Sequence, residues 1–300
     1  MVEQRDGRRR TRRATLAVAL GSLGLLLSGC SLHTDNKWWN QTINFGFPTG
    51  VTPEGVAIRE FWTGTVITSL IVGFFVWGLI FWSMAFHRKK KGDDTLPEQL
   101  QYNIPLEILY TIVPILALAA LFFWNNKVAA TAMGTETEPD NVVNVVGKQW
   151  SWDFNYTSEN VHEAGTQAQL TGRPTAEQQL PELWIPVNER TEFQLTARDV
   201  NHSFWVPEFL KKLDMIPGRV NTFQVTPTEE GEFIGKCAEL CGSYHAQMLF
   251  RLKVVSREEF DAHMKDLEKR GQTGTLGNDV NREPIAPADR DELTTTGSNE

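Results

Sequence analysis

The sequence predicts a membrane protein with an all-β outer domain, a two-helix transmembrane hairpin followed by a small sandwich or Greek-key barrel. Two runs, residues 61–86 and 104–124, are almost wholly apolar; the first has no charge and the second only Glu107, near its start. Beyond them the chain breaks into short β-rich stretches punctuated by Gly, Pro and Asn. Ahead of them stands the basic, apolar, small-residue order of an export signal. Bulk averages conceal this organisation. A mean hydropathy of −0.29 and a net charge of −8 are ordinary for a chain of 300 residues.

Residues 1–29 form the expected signal: Arg5, Arg8, Arg9, Arg10, Arg12 and Arg13 precede the apolar stretch 14–27. Leu27-Ser28-Gly29-Cys30 further resembles a lipoprotein cleavage box, which would make Cys30 the acylated first residue of the mature chain. Residues 30–57 are then an extracytoplasmic segment. The hairpin is expected over 58–125, because about 20 apolar residues cover a hydrocarbon core of roughly 30 Å. Trp62, Trp82 and Trp124 fall where interfacial aromatics belong. His87-Arg88-Lys89-Lys90-Lys91 opens the connecting loop 87–103, and short basic loops stay in the cytoplasm. Both ends of the mature chain are therefore expected outside, as an exported N-terminus independently requires.

The β domain is expected over 126–255, with strands near 141–146, 183–187, 192–196, 222–226 and 249–255. Ser256-Arg257-Glu258-Glu259 reads as a capping box opening a short helix over 256–270. Residues 271–300 offer little to bury and are expected to be a disordered tail, and 159–179 to be an insertion loop. From residue 126 onward there are 17 Lys or Arg against 28 Asp or Glu. Such an acidic outer part would steer a cationic partner; simple solubility accounts for it equally. No nucleic-acid partner is expected.

The three cysteines are Cys30, Cys237 and Cys241. Cys237-Ala238-Glu239-Leu240-Cys241-Gly242-Ser243-Tyr244-His245-Ala246-Gln247-Met248 packs two thiols, an imidazole and a thioether into twelve positions. Soft sulfur ligands with imidazole and an axial Met suit copper in both oxidation states. A disulfide, a structural zinc site and a core in which Met248 merely fills space are the alternatives, of which the first two make no use of Met248.

The pattern Cys-x-Glu-x-Cys-x-x-x-His-x-x-Met, with Asp199-Val200-Asn201-His202-Ser203 upstream, resembles the dinuclear copper A site of cytochrome c oxidase subunit II. The resemblance spans roughly residues 61–255 and implies a cupredoxin-like Greek-key barrel. It implies that Cys237 and Cys241 bridge two copper ions. His202 and Met248 would complete one copper, and His245 with the backbone carbonyl of Glu239 the other. Gly147-Lys148-Gln149-Trp150-Ser151-Trp152 is similar to the family's aromatic segment, in which Trp150 would receive the electron. Lys148 departs from many relatives and would alter how Trp150 meets its donor.

By the same resemblance the Glu239 carboxylate would help hold a Mg or Mn ion shared with subunit I. Asp214 and Arg219, in Asp214-Met215-Ile216-Pro217-Gly218-Arg219, would lie at that interface, salt bridging within the domain being equally compatible. Glu107 would mark the mouth of a proton path, on the cytoplasmic side. The implied function is transfer of electrons from a soluble or membrane-bound cytochrome c to haem in subunit I. That subunit would hold haem and copper B and reduce oxygen with proton pumping, since no haem-binding set is visible here. A quinol oxidase subunit would not need the copper ligands, a copper-carrying lipoprotein would not need Glu107 or Trp150, and a nitrous oxide reductase domain would lack the hairpin.

Overall fold

A computed structural model describes residues 37–89, 92, 96, 99–135, 137–167 and 180–277. The expected signal, Cys30, most of the expected insertion loop and the tail beyond residue 277 lie outside the described residues. Helix α1, Lys37–Ile43, belongs to a first unit that ends at Ile43, and every later element belongs to a second that begins at Asn44.

Helix α2, Pro53–Phe86, begins where Thr52 accepts a hydrogen bond from the Gly55 N–H at 3.0 Å and a proline follows the cap. Helix α3, Ile104–Met133, begins on Asn103, whose side chain accepts from the Leu106 N–H while Glu107 Oε1 accepts from the Asn103 N–H at 2.9 Å. Both are longer than the apolar runs that predicted them. The first starts eight residues before residue 61 and the second ends nine after residue 124. Hydropathy marks the part that lipid must cover, whereas capping and hydrogen bonding decide where a helix stops. Each contains a long apolar window that nothing among the described residues buries; Phe74 and Leu118 are 74% and 68% exposed. Such surfaces belong in lipid or against other membrane helices.

Among the described residues ten strands follow: β1 (Asn141–Lys148), β2 (Ser151–Tyr156), β3 (Val161–Ala164), β4 (Glu182–Pro186), β5 (Thr191–Ala197), β6 (His202–Val206), β7 (Lys211–Met215), β8 (Asn221–Val225), β9 (Gly231–Cys237) and β10 (Leu249–Val255). They form two five-stranded sheets, ordered β3-β2-β1-β5-β8 and β4-β10-β9-β6-β7. The pairs β1–β5 and β4–β10 are parallel and the others antiparallel. The two inner faces interlock aromatic side chains. Phe204 stacks on Phe250 at 5.0 Å, and Trp152 meets both edge-on. Gly235 admits this packing, since a Cβ there would lie 1.9 Å from the Phe250 ring.

Helix α4, Arg257–Lys269, starts on the expected cap, with Ser256 Oγ accepting from the Glu259 N–H. It buries Phe260, Met264 and Leu267. Two expectations need correction. Strand β3 lies inside the stretch read as an insertion loop, its Val161 buried in the core. The chain after Gly271 is also ordered at first. Thr273 bridges to Val161, and the fully buried Asn155 side chain accepts from the Leu276 N–H. Polar residues mark this strap because backbone and Asn155 amide groups, rather than apolar burial, hold it.

Candidate metal centre

Strand β6 opens with His202, β9 closes with Cys237, and the loop 238–248 returns the chain into β10. The loop is pinned at both ends: the Cys237 N–H donates to Met248 O at 3.0 Å, and the Ala238 N–H donates to Ser203 O at 3.0 Å. These bonds draw the sulfur and nitrogen donors into one buried knot. Cys237 Sγ lies 3.8 Å from Cys241 Sγ, 3.8 Å from His202 Nδ1 and 3.2 Å from Glu239 O. Cys241 Sγ lies 3.6 Å from His245 Nδ1 and 3.8 Å from Met248 Sδ. The sulfurs are too far apart for a disulfide, which needs about 2.05 Å, and both cysteines are free and buried.

All six residues expected as ligands are therefore brought together. Donor atoms of His202, Cys237 and Cys241 lie within 4.8 Å of one another. Two thiols, two imidazoles, a thioether and a carbonyl form a soft set that fits copper and would serve a hard cation poorly. Burial by itself would raise the Cys237 thiol, but the His202 hydrogen bond and backbone contacts outweigh it and bring the thiol down to about 7. Burial and then the neighbouring Cys237 push Cys241 up. The first thiolate forms easily and the second resists, a conflict that a bound cation would relieve.

Asp199 organises the surroundings, a role the sequence motif did not disclose. One carboxylate oxygen lies 2.9 Å from His202 Nε2 and accepts from the Val200 N–H at 2.7 Å; the other accepts from the Gln149 N–H at 2.7 Å. Binding at Nε2 leaves Nδ1 for the thiol side of the ring. Burial opposes a charge on His202, yet the Asp199 bond raises its pKa overall. Gly147 lies flat against the same ring; a Cβ there would come within 3.0 Å of it.

Trp150 adjoins the ligand loop. Its Nε1–H donates to Cys241 O at 3.2 Å, and Gln149 Nε2 donates to the same oxygen at 2.7 Å. Its indole meets Tyr244 edge-on at 4.9 Å, and Gly242, at φ +121°, leaves room for it. Gln149, Tyr244 and Gly242 stand inside the two quoted motifs, but their contacts with Cys241 O and the indole join segments about 90 residues apart and appear only in the fold. Lys148 Nζ pairs with Asp153 Oδ1 at 2.6 Å, and Arg198 shares that nearly buried carboxylate.

Glu239, Asp214 and Arg219 are exposed, the last two beside one shallow depression. Glu107 sits at the far end of α3, where its carboxylate holds the helix start.

The sequence profile described as "Cytochrome C oxidase subunit II, periplasmic domain" matches residues 141–255. A probable cytochrome c oxidase subunit 2 of Streptomyces avermitilis is 40% identical over 301 residues, covering 90% of this chain and 92% of the relative. The cytochrome c oxidase subunit 2 of Mycobacterium tuberculosis is 34% identical over 324 residues, covering 92% and 87%. The crystal structure of the periplasmic domain of subunit II of cytochrome oxidase from Bradyrhizobium japonicum aligns at 31% identity with a TM-score of 0.39, covering 45% of this chain and 97% of that one. With identity of this order running through hairpin and sandwich alike, the chain belongs to the cytochrome c oxidase subunit 2 family.

Proposed function

We propose that this subunit receives electrons from a cytochrome c at Trp150 and passes them, through a dinuclear copper A centre, to haem in subunit I. The observation that supports it best is the convergence of two free, buried thiols with His202, His245, Met248 and the Glu239 carbonyl in one knot. Cys237 and Cys241 would bridge the pair of coppers, which when bound supply one-electron chemistry shared between two metals. The protein's share is rigidity. Asp199 orients His202, the Cys237–Met248 and Ala238–Ser203 bonds clamp the loop, and Phe204 and Phe250 fill the space beneath it. A cage so held moves little when its charge changes.

Trp150 is joined to the cage by one hydrogen bond and then the covalent run of the Cys241 carbonyl, Cα, Cβ and Sγ. Leu240 and Tyr244 stand exposed beside it, giving a donor a small apolar contact within the acidic outer part.

The remaining assignments follow from this reading. Cys30 carries the lipid anchor after removal of residues 1–29. The Glu239 carboxylate helps hold Mg or Mn against subunit I, and Asp214 and Arg219 meet the same partner. Glu107 admits protons at the cytoplasmic face.

Optical and EPR spectra of the purified full-length protein loaded with copper, beside a Cys237→Ser variant, test the central claim. A purple product with a seven-line mixed-valence signal, lost in the variant, is expected. A colourless protein holding one zinc, or a Cys237–Cys241 disulfide, would overturn it.

A further inference from the structure

Lys211 is a charged side chain buried where none is needed for the metal centre, being only 8% exposed at the foot of β7. Its Nζ donates to the Ala132 carbonyl in the last turn of α3 and lies 4.3 Å above the Phe223 ring of β8. The charge that acts on it is Glu54, in the first turn of α2 and itself 8% exposed. Burial pulls the amine down to about 8, a cost that Glu54 only partly offsets. One ammonium thus bears on the outer ends of both membrane helices. A cation at a helix C-terminus and a carboxylate at a helix N-terminus are each favourable placements. Beside this contact, the Val51 N–H donates to Glu208 O at 3.1 Å and the Thr228 N–H to Val51 O at 2.9 Å.

The ladder above Lys211 leads to the metal centre. Strands β6 and β7 pair from Val206 opposite Lys211 at the foot to His202 opposite Met215 at the head, and Phe204 in the same ladder pairs with Cys237 of β9. Four residues of strand separate foot from head, about 13 Å at roughly 3.3 Å per residue. We infer that Lys211 is a positioning residue, clamping the foot of the β6–β7 strut to the membrane hairpin and so setting the stance of the copper centre above the membrane. The inference rests on the electron-transfer reading above. Electron transfer between fixed sites falls steeply with distance, so a slack foot slows delivery to subunit I and leaves collection from the donor unchanged.

The test uses the assembled oxidase with Lys211→Met, which keeps the bulk and removes the charge and donor. Lys211→Gln, which keeps an N–H donor for Ala132 O, serves as the milder variant. Three readouts are needed: the optical and EPR spectra of the centre, hydrogen exchange of the last turn of α3 and of β7, and the rate of internal electron transfer after flash injection. The expected result for Lys211→Met is an unchanged spectrum and unchanged KM for cytochrome c. Exchange is at least tenfold faster and internal transfer several-fold slower, with Lys211→Gln between. Wild-type exchange and transfer in Lys211→Met overturn the inference. So does an altered spectrum, which would place the effect on the centre itself, and so does failure of both variants to assemble, which would make Lys211 a folding residue. A wild-type oxidase without the copper spectrum defeats the functional reading instead, while the exchange arm still decides the clamp.

Discussion

Asp199 shows how one carboxylate can serve two tasks. It holds His202 at Nε2 and the backbone of Gln149 at its other oxygen, so the candidate ligand and the segment leading into Trp150 share one support. Asp199→Asn, which loses the charge and one of the accepting oxygens, is expected to weaken copper binding about 10- to 100-fold, the usual penalty for losing such a support. Titration against a competing chelator measures it. Gly235 makes the complementary point about space. With 1.9 Å between an added Cβ and the Phe250 ring, Gly235→Ala should cost at least the 1–3 kcal/mol typical of an overfilled core, read from denaturant unfolding of the protein with its centre intact.

At the scale of elements, helix caps were legible and several strands were not. Ser256 was readable because a hydroxyl three residues before a glutamate is a local signal, and the structure gives it that cap. Ser256→Ala should cost about 1 kcal/mol, seen as faster exchange in the first turn of α4. Strands β2, β6, β7 and β9 escaped because their patterns are set by their partners. β2 is buried throughout, so it never alternates, and β7 begins with two lysines, one of which turns inward to meet α3. The clustering of sulfur and imidazole donors was legible in the Cys-to-Met loop and His202, whereas their support by Asp199, Gln149 and Gly147 arises from segments that meet only after folding. The proton-entry role proposed for Glu107 and its observed hold on the helix start are separated by a single variant. Glu107→Gln keeps an oxygen to accept from the Asn103 N–H, so helix α3 should form normally while proton uptake slows; Glu107→Ala should lose both. Proton-pumping assays paired with hydrogen exchange at residues 103–107 distinguish the two.

Over the whole molecule, acid stability depends on a residue remote from the copper ligands. His263 stacks on Trp184 at 4.2 Å, and burial, then Arg270, lower its pKa from 6.5 to about 4. Above pH 6.5 the ring is neutral whether folded or unfolded. Between about 6.5 and 4 the unfolded chain takes up a proton that the folded chain refuses, so stability falls with falling pH across that window. Melting temperatures of wild type and His263→Gln should converge toward the acid end of this window, the variant having the flatter profile.

The length of the two helices has a consequence for the lipid around them. Helix α2 has 34 residues, about 51 Å at 1.5 Å per residue, against a hydrocarbon core of roughly 30 Å. About 12 Å of the surplus, at 1.5 Å per residue, is the stretch 53–60 ahead of the apolar run, where Gly55 lies against Phe209, so this end of the helix doubles as a pedestal. Glu54, Arg59 and Glu60 on that stretch hold the hydrocarbon boundary below it, so a thicker bilayer must thin locally or a thinner one be met by tilt, while the domain keeps its height above the membrane.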